Sequence, residues 1–285
     1  MVLTDIKGLG EITTISKGCV SAVVDSLGAK VLALFVNDEN ILHYDEQDIS
    51  HSGIPICLPS FGPLKEGVFT YNGQDYPMGQ HGFIRDCELS KESSCSESVT
   101  YVFRATDQTK KQYPFDFKFS VSYSLLDKGL KVALDFCNES NSPIPLAPGI
   151  HPYFAVKNPE DVLLNTKSNF ANNNINEYKA EPLGEAGFLE TVEVGVVRLL
   201  KVKKNPDMHL IDHQLLKTDL YRGKQSPVHL QYDLQIFNRL AVWRKAADSE
   251  FICIEPAFIQ NGINDAPLMI AAGQGLKTGI IIGVS

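Results

Sequence analysis

The chain has 285 residues, 44% of them hydrophobic and 21% charged, a globular balance with ample material for a large core. Its net charge is -8 and no basic stripe runs along it, which argues against nucleic acid as a partner; 201-KVKK-204 reads as a short solvated patch. No apolar run approaches membrane-spanning length, and the opening MVLTDIKGLGEI lacks the basic and apolar segments of a secretory signal, so a cytoplasmic protein without a membrane partner is expected.

Short apolar runs and period-2 alternation dominate in chain order. Residues 20–26 and 30–36 flank a Leu27-Gly28-Ala29 turn and predict a hairpin. Residues 99–105 alternate, with Val99, Tyr101 and Phe103 on one face. Phe117, Phe119, Val121, Tyr123 and Leu125 form one face of the next strand, and Leu130, Val132, Leu134 and Phe136 one face of its partner. The turn Asp127-Lys128-Gly129 joins those two. Later strands are expected over 229–237, 241–245, 251–255 and 279–284. Helical periodicity is scarce, its best stretch being 207–216, and the Asn-rich residues 169–178 read as a surface loop. The pattern predicts an all-β fold, with residues 1–285 forming one domain and no internal repeat or linker.

Six cysteines stand at 19, 57, 87, 95, 137 and 253 with no C-x-x-C pair, so buried thiols are expected rather than a zinc or redox site. His209, Asp212 and His213 match no strong metal-ligand spacing. The segment 273-GQGLKTG-279 has Leu276 before its lysine and too few residues after it for a phosphate loop.

Three places carry candidate chemistry. In 250-EFICIEPAF-258 both faces are apolar, the pattern of a strand covered on both sides, with Glu255 at its end and Pro256 stopping the ladder. A carboxylate on such a strand is desolvated and made more basic, although a strand-end Glu facing water or an arginine is the commoner case. In 147-APGIHPYF-154, His151 is the one titratable group, and Pro152 restricts its backbone to extended conformations. It is either a buried structural histidine or a positioned acid or base. In 79-GQHGFIRD-86, His81 lies between glycines and Arg85 follows; Arg85 either pairs with Asp86 or Glu88 or binds a hydroxyl-rich or anionic ligand.

The ordered set 53-GIPICLPSFGP-63, 80-QHGFIRD-86, 113-YPFDFKFSVSY-123, 149-GIHPYF-154, 218-TDLY-221 and 252-ICIEP-256 resembles the aldose 1-epimerase (galactose mutarotase) family across nearly all of the chain. Its spacing looks most like the branch acting on hexose 6-phosphates. The resemblance implies a large antiparallel β-sandwich, sugar bound on a concave sheet face, and no cofactor or metal. It implies that His151 protonates the ring oxygen, that Glu255 takes the anomeric proton, and that the two form an ion pair. It also implies that His81, Arg85 and Asp219 contact substrate. One position departs: His51 stands where the phosphosugar branch has an arginine two residues before the G-I-P glycine, which leaves hexose and hexose 6-phosphate both open. The region 271–279 also lacks the family's Pro-Gly-Glu turn. A non-catalytic carbohydrate-binding or sensing protein on the same fold is the alternative. A glycosidase, which needs two flanking carboxylates, ranks third. The sequence leaves monomer and homodimer open.

Overall fold

The computed structural model describes residues 3–195 and 197–285. Two large antiparallel sheets build the molecule. The first has ten strands, in spatial order Leu189–Val194, Val197–Val202, Val162–Asn165, Lys217–Arg222, Gln225–Tyr232, Gly275–Val284, Gly129–Asn138, Phe117–Leu126, Ser98–Arg104 and Ser90–Ser94. The second runs Lys179–Pro182, Phe170–Asn173, Asp207–Ile211, Arg239–Trp243, Phe251–Ala257, Gly149–Ile150 and Ile56–Cys57, with Tyr153–Ala155 also paired to Phe251–Ala257. Ile12–Lys17, Val20–Asp25, Lys30–Val36 and Glu39–Asn40 form a smaller N-terminal sheet, in which the predicted hairpin of residues 20–36 pairs antiparallel.

Alternation explains the sandwich. Phe117, Phe119, Val121, Tyr123 and Leu125 are buried while the residues between them are half-buried, and their hairpin partner pairs in register from Phe117 opposite Asn138 to Leu126 opposite Gly129. On the facing sheet, Met208, Leu210, Leu240, Val242, Ile252 and Ile254 enter the same apolar core. Each fully buried large aliphatic or aromatic side chain contributes roughly 1.5–3 kcal/mol. The alternate residues Asp207, His209, Ala241, Trp243, Cys253 and Glu255 are thereby turned to the opposite face.

Three local expectations change. The stretch 207–216 is no helix: Asp207–Ile211 is an interior strand, because Met208 and Leu210 reach the core at period 2. Pro256 does not end its ladder, since it pairs in register with Leu240 and Ala257 follows within the strand. The Asn-rich stretch is not simply a surface loop: Phe170–Asn173 is a strand, and Asn173 is buried against Glu181. All six cysteines are free; Cys57 and Cys253 are buried, Cys87 and Cys137 are half-buried, and Cys19 and Cys95 are exposed. Among the described residues no helix is long and apolar enough to cross a membrane.

His213 is bound on both ring nitrogens, Nδ1 to the Thr166 hydroxyl at 2.8 Å and Nε2 to the Thr218 hydroxyl at 2.7 Å. Burial pushes it down to about 4. The unfolded chain therefore binds this proton below about 6.5 while the folded chain does not. That stability is fully present above about 6.5 and is lost as pH falls toward the folded value, by at most about 1.4 kcal/mol per pH unit. Denaturant unfolding of His213→Gln is expected to show a shallower loss of stability on acidification than the parent, by close to one proton; equal slopes would refute the assignment.

Candidate active site

The outer face of the second sheet floors a cavity of about 1080 Å³. Register sets what the floor presents. Gly149 pairs with Ala257 and Tyr153 with Cys253, so the intervening His151 falls opposite Glu255. Pro152 has no N–H to give the ladder, and the His151 N–H donates instead to the Pro55 carbonyl at 3.0 Å. Glu255 in turn pairs with Ala241, and Ala241 with His209. One row across the sheet thus reads His209, Ala241, Glu255, His151, and the small Ala241 side chain leaves open space above it. The next row carries Asp207, Trp243, Cys253 and Tyr153.

His151 Nε2 lies 3.3 Å from Glu255 Oε2. The residues are 6% and 2% exposed, so water screens their contact little. Burial first, and the Arg85 charge next, push His151 down to about 3. Burial first, and Asp207 next, hold Glu255 well above the usual carboxylate range. Each group is driven toward its neutral form. Desolvation thus penalises both charges of the ion pair expected from sequence, and the mutual attraction at 3.3 Å opposes that penalty.

The other walls are specific. The His151 ring stacks on Tyr153 with centroids 4.7 Å apart, and Trp243 meets it edge-on at 6.0 Å. His81 has a left-handed backbone, φ 66°, and its Nδ1 accepts the Gly62 N–H at 3.2 Å. Burial, with His151 and Arg85 nearby, lowers His81 well below its ordinary value. A neutral His81 so held carries its proton on Nε2, as a donor. His209 Nδ1 meets the Tyr178 hydroxyl at 3.1 Å, and Asn174 donates to Asp207 at 2.6 Å. Burial raises the Asp207 carboxyl and, with Arg239, brings His209 down to about 3. Arg85, Lys30 and His51 make a basic side, all bearing on His151. Arg85 Nε is buried without a hydrogen-bond partner. His51 Nδ1 is held by Asp48 at 2.8 Å, and its ring stacks on Trp243 at 5.8 Å. For a metal, His151, Cys253 and Glu255 offer donor atoms within 4.8 Å of one another.

Five residues singled out from sequence, His51, His81, Arg85, His151 and Glu255, line this cavity. Asp219 does not. It sits on a strand of the ten-stranded sheet, where Thr218, Leu220 and Arg222 turn inward and Asp219 turns away to His229 Nδ1 at 2.5 Å and Asn165 at 3.2 Å. Asp207, His209, Tyr178 and Trp243 also line the cavity and were missed. Reading 207-DMHLI-211 at period 2 places its Asp and His on one face, the signal that a helical reading hides.

A large antiparallel β-sandwich with a buried imidazole–carboxylate pair on the outer face of one sheet defines the class. The aldose 1-epimerase family model matches residues 11–260, and the chain belongs to that family. It is 24% identical over 219 residues to protein LacX (chromosomal) of Lactococcus lactis subsp. lactis, covering 71% of this chain and 72% of that one. Its fold matches a galactose mutarotase-like protein from Lactobacillus casei, with a TM-score of 0.83 at 21% identity over 96% of this chain and 100% of that one. It also matches the Slr1438 protein from Synechocystis sp. PCC 6803, with a TM-score of 0.85 at 19% identity over 98% and 96%.

The turn that carries His81 is built on Gly82, whose φ is +71° and whose added Cβ would fall 2.1 Å from the Leu58 carbonyl oxygen. Neither the backbone angle nor that backbone contact yields cheaply. Gly82→Ala is expected to lower unfolding free energy by about 1–3 kcal/mol or more. Gly79→Ala, with its nearest contact at 3.8 Å, should change it by no more than about 0.5 kcal/mol. Chemical denaturation of the pair checks this, and equal effects would show that the turn is not constrained as argued.

Proposed function

We propose that the protein interconverts the α and β anomers of a hexose or hexose 6-phosphate by acid–base ring opening. The observation that carries this reading is the His151–Glu255 contact at 3.3 Å, buried on the floor of a cavity large enough for a sugar. In the proposed step, Glu255 takes the proton from the anomeric hydroxyl. The C1–O5 bond breaks with its electron pair going to the ring oxygen, which takes a proton from His151. The open aldehyde turns about C1–C2, and the same transfers in reverse close the other anomer. Protons given and taken balance, so the pair returns to its starting state. The ion pair and the two neutral groups differ by one proton moved across the contact. Sugar hydroxyls donating to the Glu255 carboxylate favour the ionised arrangement that the reaction uses.

The surrounding groups fit the same reading. His81, whose Nε2 also lies 3.2 Å from the Gln80 side-chain amide, joins Asp207 and His209 in supplying polar contacts for ring hydroxyls. Trp243 and Tyr153 give apolar surface for the sugar's C–H face. Arg85 is the cation for a phosphate, if the substrate carries one; His51, its Nδ1 bound to Asp48, presents its other ring nitrogen on the same side.

Exchange spectroscopy by NMR on glucose, galactose and glucose 6-phosphate tests the proposal. Glu255→Gln and His151→Asn should each lower kcat by about 10²–10⁴. Unchanged exchange in both variants would overturn the mechanism. Tight sugar binding without exchange above buffer on any of these sugars would support the binding-protein alternative. Arg85→Ala should raise KM for hexose 6-phosphate about tenfold or more beyond its effect on hexose; equal effects would assign the unphosphorylated sugar.

A further inference from the structure

One row along the sheet from the acid–base pair lies a third reactive group that the proposed reaction does not use. Cys253 precedes Glu255 by two residues on one strand, shares its face, and pairs across the sheet with Tyr153. Its thiol is fully buried among Tyr153, Phe251 and Trp243. Among the described residues, His151, Cys253 and Glu255 form the one group of three such donors close enough to hold a metal ion, with all three atoms within 4.8 Å.

We propose that this triplet captures a thiophilic divalent cation of the zinc class, through one nitrogen of His151, Cys253 Sγ and a carboxylate oxygen of Glu255. The cation so held blocks the acid–base pair. Binding itself does not depend on the epimerase reading; only the inhibitory consequence rests on it.

Sulfur, imidazole nitrogen and carboxylate oxygen are the donor types zinc takes, three from protein with a fourth position open. Tetrahedral bond lengths near 2.0–2.3 Å set donor separations of about 3.3–3.8 Å. The His151–Glu255 contact, at 3.3 Å, already meets that spacing. The sulfur needs to move inward by no more than about 1–1.5 Å. His151 and Glu255 line the cavity, so a water from it completes the set, and the cation takes the place of a sugar at the pair.

Charge favours the cation as well. A lone buried thiolate or carboxylate is penalised, and a cation bound between them offsets that penalty. A dication with one thiolate and one carboxylate is neutral overall, the net charge that a desolvated floor tolerates best. Binding releases the thiol proton, and the Glu255 proton where that carboxyl holds one. No electron changes hands.

Cadmium chloride is the probe for the test, since a cadmium–thiolate bond gives a charge-transfer band in the ultraviolet. The full chain is used, reduced and freed of chelator. One saturable thiolate band per chain is expected, abolished in Cys253→Ala and retained in Cys19→Ser/Cys95→Ser, which removes the exposed thiols. A saturating aldose should weaken cadmium binding at least tenfold in the parent protein, a readout that needs no variant to fold. Zinc chloride should slow anomer exchange competitively and reversibly by chelator, with at least tenfold more zinc needed in Cys253→Ala. No band, or a band that persists in Cys253→Ala, overturns the proposal, and cadmium binding indifferent to an aldose that the protein does exchange overturns the blocking of the acid–base pair. If no aldose is exchanged or bound, the epimerase reading fails, while the band and its loss in Cys253→Ala still decide the metal site.

Discussion

The site depends on one cross-strand relation. Gly149–Ile150 and Tyr153–Ala155 both pair with Phe251–Ala257, and the register they share sets His151 against Glu255. A buried imidazole–carboxylate contact is a poor source of stability, because desolvating the two groups costs about what their attraction returns. Its surroundings hold it nonetheless. The His151 N–H is bound by Pro55, its ring is stacked on Tyr153, and both flanking strands are tied into the sheet. The fold fixes the pair from several sides, as a positioned proton-transfer group requires.

The electrostatics around the pair are arranged with the same effect on both members. Arg85 opposes a positive His151, and Asp207 opposes a negative Glu255. Burial acts on both in the same directions. Burial and these neighbours therefore work against charge separation, and the attraction across 3.3 Å works for it. Such a pair responds to whatever arrives in the cavity. A ligand that donates to the carboxylate and accepts from the imidazole adds stabilisation to the charged arrangement.

Much of this was legible in the sequence for a simple reason. Strands buried on one face alternate, and a strand buried on both faces does not, so 117–125 and 251–255 each announced their surroundings. Glu255 stood out because an apolar strand led to it, and His151 because prolines stiffened its approach. The failures are as physical. Asp207–Ile211 is five residues long, too short for period alone to separate strand from helix. Asp207 and Asp219 are both aspartates on strands. Only register tells that Asp207 turns to the cavity and Asp219 to His229. The Asn-rich stretch was polar as read, but its side chains are spent inward, Asn174 on Asp207 and Asn173 on Glu181. Composition reports polarity and is silent on which side of a sheet it serves.

The departure at His51 is best understood through its partners. His51 Nδ1 meets both carboxylate oxygens of Asp48, which Lys245 also approaches at 3.2 Å, so Nε2 is the ring nitrogen left to meet a ligand. Its ring lies nearly parallel to Trp243, with an interplanar angle of 17°. Asp48 and Trp243 thus fix the ring within the cavity wall. Arg85 differs, since its buried Nε lacks a hydrogen-bond partner and its nearest carboxylate, Asp86, stands 3.8 Å away. A guanidinium keeps its charge throughout the working pH range and presents a planar fork. Under the proposed function, Arg85 is the permanent charge offered to an anion on this side, with His51 held beside it in the wall.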